Sequence, residues 1–261
     1  NSFSENEVQK KALYEFNTFV NALRNLKVTV LVFEDSKGTF TPDSIFPNNW
    51  FSTHQNGMIV TYPMLPKNRR LERREDIIES LVNSFNYSKR INLEDYEQNQ
   101  EPKFLEGTGS IVFNHQAKTI YAALSPRTND EVLKNLADKI DYKVVSFFAY
   151  GSKQELIYHT NVMMCIGETF VLIGAETINA SEREMVLTSL KEEGKAIIEL
   201  TNNQVYNHFA GNMLQLRNTN NETILVMSEA AYNSLTEEQL ALLNQHNDHL
   251  LHVPLTTIEK V

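Results

Sequence analysis

One module of secondary structure recurs along this chain, and a recurring module restricts the choice of folds more than any single segment does. Each copy reads as an opening strand, a tight turn, a return strand and a helix, followed in the last three copies by a further strand. In the first copy, Pro42-Asp-Ser-Ile-Phe-Pro-Asn-Asn-Trp-Phe51 leads to the hairpin signal Gln55-Asn-Gly57, a return strand over 58–62 and a helix over 70–85. The second has strands over 104–113 and 119–124, a helix over 130–139 and a strand over 142–148. The third has strands over 158–165 and 169–174, a helix over 181–193 and a strand over 196–200. The fourth has strands over 208–216 and 223–228, a helix over 236–246 and a strand over 249–253. Anchored at Phe46, Phe104, Tyr158 and His208, the copies start 58, 54 and 50 residues apart.

The opening strands carry polar or glycine positions at matching places: Asn48-Asn49, Glu106-Gly107, His159 with Asn161, and Gly211-Asn212. Four such coincidences in register predict modules set around a pseudo-symmetry axis, with these groups at its centre in a partly enclosed cavity. Polar groups there need partners, because unpaired ones are costly to bury. Before the first copy, a helix over 5–26 and a strand over 28–33 read as the second half of a module whose first half is missing. After Val253 the chain begins another segment, Pro254 to Val261. A closed ring would therefore need strands from outside this sequence. The opening Asn1 also suggests that the natural N-terminus lies elsewhere.

The third copy is the most informative. Read as a strand, Tyr158-His-Thr-Asn-Val-Met-Met-Cys165 places His159, Asn161, Met163 and Cys165 on one face. A run this apolar suits a strand buried on both sides, which singles out the polar residues at its mouth. Taken alone, the histidine could be a strand-end group that is merely hydrogen-bonded, and each asparagine a cap or turn residue.

Composition excludes several function classes. A net charge of -9 argues against a nucleic-acid surface, which needs clustered Lys and Arg. The basic run Lys67–Arg74 is interleaved with acid and reads as a solvated helix start. No apolar run has the length of a membrane helix, so no membrane partner is expected. The single cysteine, Cys165, excludes an internal disulfide and fits a reducing, cytoplasmic setting. The His, Asp and Glu spacings form no metal-ligand cluster, and no cofactor is expected.

Five stretches in order carry a family resemblance: Pro42-Asp-Ser-Ile-Phe-Pro-Asn-Asn-Trp50, Leu105-Glu-Gly-Thr-Gly109, Tyr158-His-Thr-Asn-Val-Met-Met-Cys165, Phe209-Ala-Gly-Asn-Met213 and Ile258-Glu-Lys-Val261. Together they resemble the citrulline-utilisation hydrolases of the guanidino-group-modifying superfamily of arginine deiminases and amidinotransferases. The resemblance implies an α/β fold, the five-bladed α/β-propeller or pentein. Residues 1–261 would form a single catalytic domain of ββαβ modules, with its first blade partly missing. It implies His159 as acid/base and Glu106 as the acid that orients it. It implies Asp43, Asn49, Asn161, Arg70 and Arg127 as substrate-binding residues, with Arg69 a competitor for the position of Arg70. The implied partner is a small amino-acid substrate. A homo-oligomer is compatible with the sequence, which leaves the oligomeric state open.

Two departures from the deiminase pattern carry chemistry. Deiminases hold a guanidinium with two aspartates, at the positions of Asn49 and Asn161 here. A guanidinium has only donors and suits carboxylates, whereas a neutral ureido group offers a carbonyl beside an NH2 and suits a carboxamide. The expected reaction is therefore hydrolysis of citrulline to ornithine, ammonia and carbon dioxide through a cysteine-bound thiocarbamate. The alternatives are an arginine deiminase or dihydrolase, an amidinotransferase, or a non-catalytic binding protein on the same fold. Cys165 is not the expected nucleophile. It lies six residues beyond His159 on the predicted strand, in an apolar run that raises a thiol pKa. In the resembling family the nucleophile follows the match to Ile258–Val261, which here lies beyond the last residue.

Overall fold

The computed structural model describes residues 5–35, 38 and 40–260. The repeated module appears as four separate three-stranded sheets of one plan. Helix α1 (Glu5–Asn25) precedes them. In the first sheet, β1 (Phe51–His54) pairs antiparallel with β2 (Met58–Thr61), α2 (Glu75–Phe85) crosses over, and β3 (Lys89–Asn92) returns parallel to β2. The second follows the short helix α3 (Gly107–Ser110) and consists of β4 (Val112–Asn114), β5 (Thr119–Ala123), α4 (Asp130–Ile140) and β6 (Lys143–Phe147). The third has β7 (Met164–Ile166), β8 (Phe170–Ile173), α5 (Arg183–Glu192) and β9 (Ala196–Glu199). After α6 (Asn202–His208), the fourth has β10 (Leu214–Arg217), β11 (Thr223–Ser228), α7 (Glu229–Ser234), α8 (Glu237–His246) and β12 (His249–Val253).

The plan follows from strand geometry: antiparallel neighbours can be joined by a tight turn, while parallel ones need a crossover. Each middle strand is buried along its length in β2, β5 and β8, and along all but its first residue in β11. That burial accounts for the unbroken apolar runs Met58–Val60, Ile120–Ala123, Phe170–Ile173 and Ile224–Met227.

Packing divides the chain into two compact units. One comprises the chain up to Val32, Met163–Glu176 and everything from Leu187 onward. There Leu23, Ile224 and Val226 are buried together with flanking Phe19, Val28 and Leu251, and the Glu15 carboxylate accepts bonds from Thr256, Thr257 and Ile258. The other unit comprises Phe33–Val162 and Thr177–Val186. Its main core joins Val60, Tyr62, Leu105, Ile111, Ile120 and Leu133, and a smaller cluster surrounds Trp50 and Ile78. No helix among the described residues is long and apolar enough to cross a membrane.

The opening strands are shorter than the sequence pattern predicts. Of 104–113 only Val112 and Phe113, and of 158–165 only Met164 and Cys165, lie in the strands β4 and β7. The polar segments ahead of them turn instead, as Pro47–Asn49 and Thr160–Val162 in 3-10 turns and Gly107–Ser110 in a helical turn. His159 therefore does not share a strand face with Cys165, and the alternation argument does not apply to it. Gly107 explains one of these breaks. Its φ of +46° is left-handed, and a Cβ there would come within 2.1 Å of the Asn48 carbonyl oxygen.

In the fourth copy the chain from 208 to 213 is the end of α6 and a turn, with Phe209 left-handed at the cap. The helix expected over 70–85 is a 3-10 turn, Arg69–Glu72, followed by α2. Residues 28–33 pair in no sheet among the described residues. Val28 and Val30 pack beside Leu23, while Leu31, Val32 and Phe33 are exposed. A β-branched run makes a strand only where a neighbouring strand is there to receive it. Four sheets are described and no closed sheet is formed among them. Of the last motif, Ile258–Lys260 is a 3-10 turn and Val261 lies outside the described residues.

Candidate active site

The candidate residues lie in one compact unit, on the segments that turn before the strands begin. Glu106 sits where the chain leaves the Leu105–Thr128 bridge and enters α3. Its backbone is tied at both ends of this step. Leu105 N–H donates to the Pro63 carbonyl at 3.0 Å, and Glu106 N–H donates to the Ser110 hydroxyl at 2.9 Å. The Ser110 hydroxyl in turn donates to the Arg127 carbonyl at 2.7 Å. The Glu106 carboxylate is fully buried. Leu65 N–H donates to its Oε1 at 3.0 Å, and Arg127 donates to its Oε2 at 3.3 Å.

His159 is held from both sides of its own backbone. The Ser125 hydroxyl donates to the Tyr158 carbonyl at 2.8 Å. The next residue, Thr160, accepts from Ala123 N–H at 2.8 Å and donates to the Ser110 carbonyl. This fixes the imidazole, 6% exposed, with Nε2 2.8 Å from Glu106 Oε2.

The protonation states follow. Burial is the largest influence on His159 and pushes its pKa below the ordinary value, against the opposing pull of Glu106. The imidazole is thus neutral near pH 7. Burial also pushes Glu106 up, but the His159 hydrogen bond, Arg127 and the Leu65 N–H outweigh it and leave the carboxyl below its ordinary range. An ionised carboxylate only accepts, so Nε2 carries the proton and Nδ1 is the bare, basic nitrogen.

Nδ1 looks onto Gly109. A Cβ built there would meet Asn49 Nδ2 at 2.4 Å, His159 Nδ1 at 2.8 Å and His159 Cε1 at 2.9 Å. The bare imidazole nitrogen and an amide donor thus converge over a residue with no side chain. Asn49, buried on the Pro47–Asn49 turn, accepts from Arg69 Nη1 through Oδ1 at 2.7 Å, and its Nδ2 makes only a long bond, 3.5 Å, to the Glu106 carbonyl.

The other predicted site residues divide. Asp43 is half-buried and pairs with Arg69 at 3.7 Å. Arg70 donates to the Met64 carbonyl at 2.8 Å, pairs with Glu97 at 3.2 Å and lies over the Phe104 ring. Arg127 lies over the Tyr158 ring, its guanidinium centre 5.4 Å from the ring centroid, with part of the side chain open to solvent. Asn161 is half-buried on the Thr160–Val162 turn. Arg69 is enclosed in its own network and does not share the setting of Arg70.

Gly109, Ser110, Thr160 and Glu72 escaped the sequence reading. The run Gly107-Thr-Gly109-Ser110 held a signal for the first two, since two glycines beside an acid suggest close approach of backbone. No group of three His, Cys, Asp or Glu among the described residues is placed to hold a metal ion. Cys165, in the other unit, is 4% exposed, and burial pushes its thiol up to about 12.

Comparison with solved structures finds the same fold. The N-terminal domain of ArgZ, an arginine dihydrolase of the ornithine–ammonia cycle in cyanobacteria, solved as a cysteine-to-serine variant bound to substrate, is 18% identical with a TM-score of 0.71. The match covers 96% of this chain and 82% of that one. AgrE in ternary complex with ornithine and NAD+ is 17% identical with a TM-score of 0.73, over 96% of this chain and 33% of that one. A dimethylarginine dimethylaminohydrolase, as a histidine-to-glycine variant in an adduct with S-methyl-L-thiocitrulline, is 19% identical with a TM-score of 0.65, over 97% and 85%. A search of curated proteins gives no significant match. The profile of the family described as N,N dimethylarginine dimethylhydrolase, eukaryotic, matches residues 1–261, and the chain accordingly belongs to that family within the pentein superfamily.

Proposed function

We propose that the protein hydrolyses the terminal C–N bond of an arginine-type amino acid, and that its preferred group is the ureido group of citrulline. The observation that carries this reading is the convergence of His159 Nδ1 and Asn49 Nδ2 over Gly109, behind which Glu106 holds the imidazole. A neutral imidazole with one bare nitrogen suits general acid/base work near neutral pH. An amide that turns its NH2 toward the same place suits a carbonyl acceptor, which a ureido group has and a guanidinium lacks.

In the proposed sequence, His159 Nδ1 takes the proton of the attacking thiol, the thiolate adds to the ureido carbon, and the imidazolium gives that proton to the departing ammonia. Water, deprotonated by His159, then attacks the thiocarbamate and releases the thiol. The freed carbamate loses carbon dioxide to leave ornithine. The buried, high-pKa Cys165 is a poor source of thiolate, so the attacking cysteine is assigned outside this sequence. Arg127 and Arg70 are the proposed partners of the substrate carboxylate, with Asp43 and Asn161 as further contacts.

A guanidino substrate is the second reading, favoured by the name of the matching family, which acts on dimethylarginine, and by the arginine named for ArgZ. Ammonia or dimethylamine release by the full-length protein from citrulline, arginine and N,N-dimethylarginine separates the two. The first reading expects citrulline to be turned over at least tenfold more efficiently. Equal or greater efficiency on either guanidino compound would replace it with the second.

A further inference from the structure

We infer that Arg69 and Glu72 act as a positioning pair that fixes which end of the Asn49 amide faces the substrate, and thereby selects a carbonyl over a guanidinium. The inference rests on the functional reading above for the identity of the substrate, but not for the geometry. Arg69 is 5% exposed and Glu72 is 4% exposed. Glu72 accepts from Arg69 Nε and Nη2, both at 3.0 Å, in a two-pronged grip that sets the plane of the guanidinium. The rest of Nη2 is taken up by the carbonyls of Phe46 at 3.2 Å and Asp43 at 3.3 Å. Nη1 is left pointing at Asn49 Oδ1, 2.7 Å away.

An arginine only donates. If the amide turned over, its NH2 would face Nη1, two donors at hydrogen-bond distance with no acceptor between them. Oδ1 is therefore held on the Arg69 side. Nδ2 is held on the side of Gly109 and His159 Nδ1. A free asparagine could offer either end and fit either substrate, whereas this one offers a donor. The two acidic groups near it, Glu72 and Asp43, do not supply a carboxylate fork for a guanidinium, since both are paired to Arg69.

The same network predicts what a carboxylate at position 49 would do. Asn49→Asp would exchange a neutral acceptor for an anion beside Arg69, and the new charge would be matched inside the protein. It would lose the donor for the carbonyl without presenting a free charge to a guanidinium. Removing the pair should change this outcome.

The test uses the full-length protein and steady-state kinetics on citrulline and arginine. Replacing both members, Arg69→Met with Glu72→Leu, avoids stranding a buried charge. We expect the citrulline-to-arginine ratio of kcat/KM to fall at least tenfold, chiefly through KM for citrulline. Glu106 and His159 are untouched, so turnover should persist, while loss of the Arg69 charge, which helps hold the His159 pKa down, should move the histidine limb of the pH profile upward. Arg69→Lys should recover part of the ratio and serves also if the double variant fails to fold. Asn49→Asp alone should abolish citrulline turnover without raising that of arginine, and should raise it only in the double-variant background. A ratio unchanged within twofold, or a gain on arginine from Asn49→Asp alone, overturns the inference. If the unmodified protein turns over neither substrate, the functional reading falls. The positioning claim is then decided by the side-chain amide resonances of Asn49, which should shift and broaden in the variants; unmoved resonances would refute it.

Discussion

At the scale of the residue, the candidate site depends on where two nitrogens point. His159 Nε2 is committed to Glu106, and its Nδ1 is the remaining basic position. Replacing His159 by alanine removes both uses of the ring. Turnover should fall by about 10³–10⁴-fold, the upper part of the range for general acid/base groups, because one imidazole serves both half-reactions. Far-UV circular dichroism of the variant should match the parent; a variant that keeps most of its rate would demote His159 to a structural group.

A second histidine reports on stability. His54 is buried, with Nε2 2.9 Å from the Ser52 hydroxyl, which also lies 2.7 Å from the Tyr62 hydroxyl. Phe113 and His115 face its ring. Burial, and then the charge of His115, lowers its pKa to about 4. The unfolded chain takes up this proton near the ordinary value of about 6.5. Stability is then fully present above that value and declines as pH falls toward about 4. Urea unfolding at pH 7 and pH 5 should show the decline, and His54→Gln should reduce it.

At the scale of the element, the hairpins and crossovers were legible because their signals are local. Gln55-Asn-Gly57 announces the first turn, and Gly57 adopts a φ of +77° there. The first turns of α6 and α8 carry capping boxes, Thr201 with Gln204 and Thr236 with Gln239. The opening strands were misjudged because apolar runs such as 158–165 do not reveal where pairing starts. In that run the chain turns through Thr160–Val162 first, held by the Thr160 hydroxyl to two other segments. Cys165 then falls inside β7 opposite Leu172, where it packs as an apolar residue. Cys165→Ser should cost about 1–3 kcal/mol, as expected for a buried hydroxyl without a partner. Thermal unfolding measures this loss. The kcat of the full-length protein should be unchanged, and a fall in kcat at full folding would reassign the residue.

At the scale of the whole molecule, the proposed site draws on turning segments and not on strands. The residues proposed for catalysis and binding occupy the turns ahead of β1, β4 and β7, the turn at Arg69–Arg70 and the Arg127 turn ahead of α4. Loops held on a rigid frame are where such groups are commonly found. The chain holds the carboxylate, imidazole and amide proposed for the chemistry, but its one thiol is buried and protonated. On the proposed mechanism the 261-residue chain by itself should release no ammonia from citrulline, and a full-length protein that supplies the proposed cysteine should. A coupled ammonia assay on both decides it, and turnover by the short chain would require a nucleophile other than the one proposed.

Periodicity and turn chemistry were enough, in the sequence alone, to divide the chain into four copies, because strand pairing within a copy is local and each middle strand is apolar. The exposed last strand of the first copy, β3, carries no such apolar signal and was not read. The pattern of motifs likewise singled out Glu106, His159 and Asn49. Only tertiary structure decided how these three meet. Asn49 and His159 are 110 positions apart in the chain, and their approach depends on Gly109 having no side chain. The orientation of the Asn49 amide depends on Arg69 and Glu72, whose sequence context reads as a charged, solvated helix start. Nothing in a charge run tells which arginine will be buried against a carboxylate. That outcome is set by which side chains the fold encloses together, where an unpaired charge is too costly to remain.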